Sequence, residues 1–111
     1  MSADVWIERA PCPHCGRSDE RVELNITYNL SQMLREARFC GWPNLRGMPA
    51  QKAGEHILEV LDGMTADPGR WRAMNPPNGW GDYDSCLQGR MRRWAEECTK
   101  AGPDDTIGGW L

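Results

Sequence analysis

The run Glu23-Leu24-Asn25-Ile26-Thr27-Tyr28-Asn29-Leu30 alternates apolar and polar residues with almost no slippage. In an extended chain, Leu24, Ile26, Tyr28 and Leu30 fall on one side and Asn25, Thr27 and Asn29 on the other, because successive side chains point to opposite faces. A strand with one apolar face needs a partner strand and a cover for that face. The residues before it supply the partner: Val5, Ile7 and Arg9 alternate with Trp6 and Glu8, and the Pro- and Gly-bearing stretch APCPHCGRSDE reads as a long hairpin tip. The second strand is expected over residues 21–30.

The cover is expected from helices. Ser31 can cap a helix running to about Cys40, with Met33, Leu34, Ala37 and Cys40 inward and Gly41 to stop it. Pro49 suits a first helical turn, and Ile57, Leu58, Leu61 and Met64 recur at helical spacing, which predicts a helix over 49–64. Asp67 and Pro68 form a cap and first-turn pair for a short helix carrying Trp71 and Met74. A last helix is expected from Asp82 or Asp84 to about Lys100, with Leu87, Met91, Trp94 and Cys98 as its apolar stripe. The tail AGPDDTIGGWL has no regular period, although Ile107, Trp110 and Leu111 could tuck against the domain. The expected fold is therefore α+β: a small antiparallel hairpin or sheet covered by three to four helices. It forms one domain over 1–111, with the hairpin in 1–30, the helices in 31–100 and a tail in 101–111.

Composition narrows the functional classes. The 111 residues are 40% hydrophobic and 26% charged, proportions of a globular chain rather than a disordered one. The net charge of −3 disfavours a protein that grips a phosphate backbone, which depends on clustered Lys and Arg. No stretch reaches the roughly 18 to 20 apolar residues that span a bilayer, and MSADVWIERAPC lacks the basic and apolar regions of a signal peptide. An intracellular protein without a membrane partner is expected. The five cysteines then read as thiols or metal ligands rather than as a disulfide framework.

Cys12-Pro13-His14-Cys15-Gly16 is the strongest single motif. Two thiolates spaced C-x-x-C in a tight turn make half of a tetrahedral zinc site. A second pair is missing, so zinc held by Cys12 and Cys15 would have to recruit His14, Cys40 or Cys98; the alternative is an unmetallated turn. A redox role fits poorly, because that chemistry needs the motif at a helix N-terminus, and here it leads into a strand.

Two further constellations suggest binding. Asn25, Thr27 and Asn29 would present amides and a hydroxyl at about 7 Å intervals on one strand face. Such a row suits a ligand with mixed donor and acceptor edges, or simply satisfies a crossing loop. The loop Asn75-Pro76-Pro77-Asn78-Gly79-Trp80-Gly81-Asp82-Tyr83-Asp84 joins stiff prolines, permissive glycines and two rings with polar tips. Its alternative reading is structural, with Trp80 plugging the core, Asn78 and Gly79 making a turn and Asp82 capping a helix. Asp82 and Asp84 could pair for acid–base or Mg²⁺ chemistry, but no third carboxylate or placed His accompanies them. His56 reads as an ordinary helix histidine, and RMRRW as a solvated basic face that could also grip a phosphate.

LNITYN, followed by NPPNGWGDYD and a final amphipathic helix, resembles a group of short proteins encoded by tailed phages, particularly those infecting actinobacteria. The resemblance runs over most of the chain from about Glu23. It implies an accessory protein acting in the host cytoplasm by sequestering a molecule or blocking a host protein. Joined to the residue reading, it gives the expectation that the asparagine row and the tryptophan loop meet around a polar pocket. Asn25, Thr27, Tyr28, Asn29, Asn78, Trp80, Asp82 and Tyr83 would there hold a small polar, nucleotide-derived metabolite without turning it over. A protein-interaction module using the six tryptophans and the GGWL end is the second reading, and a small metal-assisted enzyme the third.

Overall fold

The computed structural model describes residues 2–8 and 22–110. It is an α+β fold with a three-stranded antiparallel sheet in the order β2-β1-β3. Strand β1 (Ser2–Glu8) pairs with β2 (Val22–Thr27) in the register Ser2 to Thr27 and Ile7 to Val22. On its other side β1 pairs with β3 (Thr106–Trp110), Asp4 opposite Trp110 and Glu8 opposite Thr106. Period-two alternation decides the faces: Ala3, Val5, Ile7, Leu24, Ile26 and Ile107 enter the core, whereas Asp4, Glu8, Glu23 and Asn25 stay exposed.

The tail therefore contains a strand that its composition hides. Gly108 and Gly109 are poor strand formers, but here the absence of a side chain is what the pairing needs. A Cβ at Gly108 would strike the Trp6 indole Nε1, and one at Gly109 would lie 2.8 Å from the Asp4 carbonyl oxygen. The outer edge of β3 is also occupied: Ile107 N–H donates to Met48 O at 3.0 Å and its carbonyl accepts from Gly47 N–H at 2.8 Å.

Five α-helices are present among the described residues: α1 (Ser31–Glu36), α2 (Trp42–Leu45), α3 (Ala50–Met64), α4 (Pro68–Arg72) and α5 (Arg92–Thr99). Helix α3 presents Ala50, Ala53, Gly54, Ile57, Val60, Leu61 and Met64 inward; three of the four expected stripe residues are among them, Leu58 is only half-buried, and small residues extend the stripe at its N-terminal end. Those small residues let α5 approach closely. A Cβ on Gly54 would lie 2.6 Å from Ala95 O and 2.8 Å from Cys98 Cβ. Cys98 is fully buried in this contact, and burial, helped by the Glu97 charge, pushes its thiol up to about 12. Asp67 caps α4 as expected, its carboxylate accepting from Arg70 N–H at 3.3 Å.

The last helix begins as a π-helix, Tyr83–Met91, before tightening into α5. Arg92 N–H reaches back to Leu87 O, the five-residue closure of that wider turn. Tyr83, Leu87 and Met91, spaced four residues apart, share its inward face, and all three are buried. In the first turn of α5, Trp94 donates its indole N–H to Val22 O at 2.9 Å, tying α5 to the β2 edge.

Candidate functional site

The strand expected over 21–30 ends at Thr27. The Thr27 hydroxyl accepts from Asn29 N–H at 3.3 Å, a local bond that competes with sheet pairing and turns Tyr28–Leu30 into a 3-10 turn. This corrects the expected ladder: Asn25 and Thr27 belong to the sheet, and Asn29 belongs to the turn. The Asn25 amide donates to Ser2 Oγ at 2.8 Å and to the Asp4 carboxylate, across the strand pair. Leu30 keeps the place that alternation gave it and is fully buried.

The tryptophan loop is a chain of local bonds. Asn78 Oδ1 accepts from Trp80 N–H at 2.9 Å, with Gly79 and Gly81 at φ of 76° and 101°. Asp82 caps the π-helix, accepting from Ser85 N–H at 3.0 Å and from the Ser85 hydroxyl, and these bonds hold its carboxyl below the usual range. Tyr83 is 2% exposed, its hydroxyl accepting from Gln88 Nε2 at 2.9 Å, while Trp80 is 71% exposed. Asp84 is engaged by the Arg72 fork at 2.9 and 3.0 Å rather than paired with Asp82 for catalysis.

The two distant segments do meet. Asn29 Nδ2 donates to Trp80 O at 3.4 Å, and Gly81 lies so close to β2 that a Cβ there would stand 2.6 Å from Thr27 Cγ2 and 3.4 Å from Leu30. Their meeting is a direct contact and not the expected hollow with aromatic walls, since Tyr83 faces the core and Trp80 faces solvent.

One residue of the expected set, Tyr28, opens onto a cleft of about 340 Å³. Its walls come from Tyr28 at the start of the 3-10 turn, from Ser31, Leu34 and Arg35 of α1, and from Phe39, Cys40, Gly41, Trp42 and Pro43. Helix α1 stops at Glu36, short of the Cys40 that its pattern predicts. Arg38 takes a left-handed conformation, φ 69°, and Phe39 N–H bonds back to Leu34 O at 3.0 Å, folding the chain over the helix end. Cys40 N–H then donates to His56 Nε2 at 3.1 Å, which fixes the imidazole of α3 as the Nδ1–H tautomer. The Phe39 ring lies between two others, stacked on His56 at 5.8 Å and edge-on to Trp42 at 4.9 Å. Arg35 stands exposed at the mouth with no hydrogen bond or ion pair among the described residues.

The cleft was legible only as the fragment RFCGWP, two aromatic residues around a glycine just before a proline. Reading Phe39 and Cys40 as the end of a helix hid it. Its chemistry is that of a receptacle. Burial pushes the Cys40 thiol above its ordinary value, so it is a poor nucleophile near neutrality, and the His56 Nε2 lone pair is already taken.

Cys12, Cys15 and His14 lie outside the described residues. Among the described residues no group of three or more His, Cys, Asp or Glu side chains is placed to hold a metal, and no helix is long and apolar enough to cross a membrane. Cys40, Cys86 and Cys98 are free thiols. A scan against protein-family models found no match, and searches of curated proteins and of solved structures found none either.

Proposed function

We propose that the protein is a binding module for a small planar metabolite carrying an anionic group, a nucleotide-derived compound being the best fit. In keeping with the phage resemblance, it serves as an accessory protein that sequesters this compound in the host cytoplasm. The cleft beside Tyr28 carries the reading. Its volume lies within the range of small-molecule sites, and its lining is mostly apolar with few polar groups, the usual composition of such sites. Tyr28, Phe39 and Trp42 offer faces and edges to a ring. Ser31 offers a hydroxyl, and Arg35 offers a guanidinium suited to a phosphate or carboxylate.

The test is a thermal-shift and calorimetric titration with the four ribonucleoside monophosphates and the corresponding nucleosides. At least one monophosphate is expected to raise the melting temperature, and its nucleoside to do so less. Arg35→Glu should weaken that binding by about tenfold to a hundredfold, the worth of a charge-assisted hydrogen bond. Its own stability should change by less than about 0.5 kcal/mol, as is usual for an exposed side chain. The reading falls if no monophosphate binds and native mass spectrometry of protein from the host cell shows only the bare chain.

A further inference from the structure

The outer face of the sheet, opposite the core, is not covered by any helix among the described residues. Trp6, itself buried, packs over Gly108 there, and Trp110, 72% exposed, stands beside it with ring centroids 6.3 Å apart and planes inclined by 60°. The register that aligns Asp4 with Trp110 and Trp6 with both Glu23 and Gly108 brings three carboxylates to the same face: Asp4, Glu8 and Glu23. The Asp4 carboxylate is held by Asn25. Glu8 and Glu23 make no ion pair among the described residues. The Trp6 and Trp110 rings border two hollows, one of about 450 Å³ shared with Asp4, Glu23 and Asn25, the other of about 320 Å³ shared with Glu8 and Arg46.

From this juxtaposition we propose that the outer sheet face is a docking surface for a lysine- or arginine-rich segment of a partner protein, separate from the cleft. The occupant follows from charge complementarity. The exposed Trp110 indole attracts a cation through the ring quadrupole, and the carboxylates beside it add Coulomb attraction while repelling phosphate, so a nucleic acid or an anionic membrane is the wrong sign. The two hollows flank one protruding ring. The hollow bordered by Asp4 and Glu23 has no basic side chain in its lining and receives the cation, whereas Arg46 offsets Glu8 in the other.

Fluorescein-labelled hexalysine and hexaarginine peptides, titrated with the full chain at low ionic strength and followed by anisotropy, test the proposal. Both should bind, and a hexaglutamate control should not. Trp110→Ala, at an exposed position, should weaken binding by about threefold to thirtyfold, the range of a cation–π contact. The double substitution Glu8→Gln with Glu23→Gln should weaken it comparably and flatten its salt dependence, while Arg35→Glu in the cleft should not weaken it. Absence of binding overturns the proposal. So does binding that Trp110→Ala leaves intact, which would be diffuse attraction to an acidic protein, or binding that the glutamate substitutions leave unchanged.

Discussion

Replacing Gly54 by alanine sets two well-measured effects against each other. Alanine in a helix interior is favoured over glycine by about 1 kcal/mol, so on propensity alone the change should stabilise α3. The structure opposes it. The added methyl carbon would sit 2.6 Å from Ala95 O, 2.8 Å from Cys98 Cβ and 2.9 Å from Thr99 Cγ2, all on α5. Two of the three are a carbonyl oxygen and a Cβ, which move only if the helix moves, and α5 is itself anchored to β2 through Trp94. Overpacking a close-packed site costs about 1–3 kcal/mol, and three contacts below 3.0 Å put this site in the upper part of that range, about 2–3, so the net effect should be destabilising by about 1–2 kcal/mol. That corresponds to a melting temperature lower by about 4–10 °C in a domain of this size. Gly63, on the same helix, is exposed, and a methyl group added there would meet nothing within 4 Å, so Gly63→Ala should instead stabilise by about 0.5 kcal/mol. Calorimetric melting of both variants decides the matter. Shifts of the same sign would refute the close approach of α3 and α5.

Asp82→Ala should cost about 1 kcal/mol at neutral pH through loss of the π-helix cap. Because the folded-state carboxyl titrates below its ordinary value, this stability is present above the unfolded carboxylate range and fades as pH falls through the lower folded value. Urea titrations of variant and parent should therefore converge in strong acid; a constant gap would place the effect elsewhere. Zinc at Cys12 and Cys15 predicts one equivalent of metal in protein purified without chelator, a lower melting temperature after chelation, and loss of both on Cys12→Ser with Cys15→Ser. Unchanged metal content in that double variant would remove the pair as its site.

Local signals survived into the fold, and non-local ones did not announce themselves. Asp67 with Pro68, the α3 stripe and the cap at Asp82 were readable because each depends on residues within a turn or two of chain. The inward set Val5, Ile7, Leu24 and Ile26 was readable for the same reason. Strand β3 was not, since Gly108 and Gly109 have low strand propensity and gain their place only from the Trp6 and Asp4 atoms that lie across them. The 3-10 turn at Tyr28 overrode a strong alternation through one bond, accepted by the Thr27 hydroxyl from Asn29 N–H. Asn29 and Trp80 were expected to be neighbours and are, yet the space between them is closed by Gly81, a fact of depth that spacing does not carry. The cleft needed a glycine-like conformation at Arg38, for which the residue type gives no cue.

The middle strand of the sheet takes one neighbour from nearby and the other from the far end of the chain. Closing the second pairing spans a loop about seven times longer than the first, an added entropic cost of about 1.7 kcal/mol when the intervening chain is unstructured. Refolding should therefore proceed by hairpin and helices first, with Thr106–Trp110 arriving last. Until it arrives, the open side of β1 is a template for the same segment of another molecule, and at high concentration exchanged dimers become the natural by-product of slow closure.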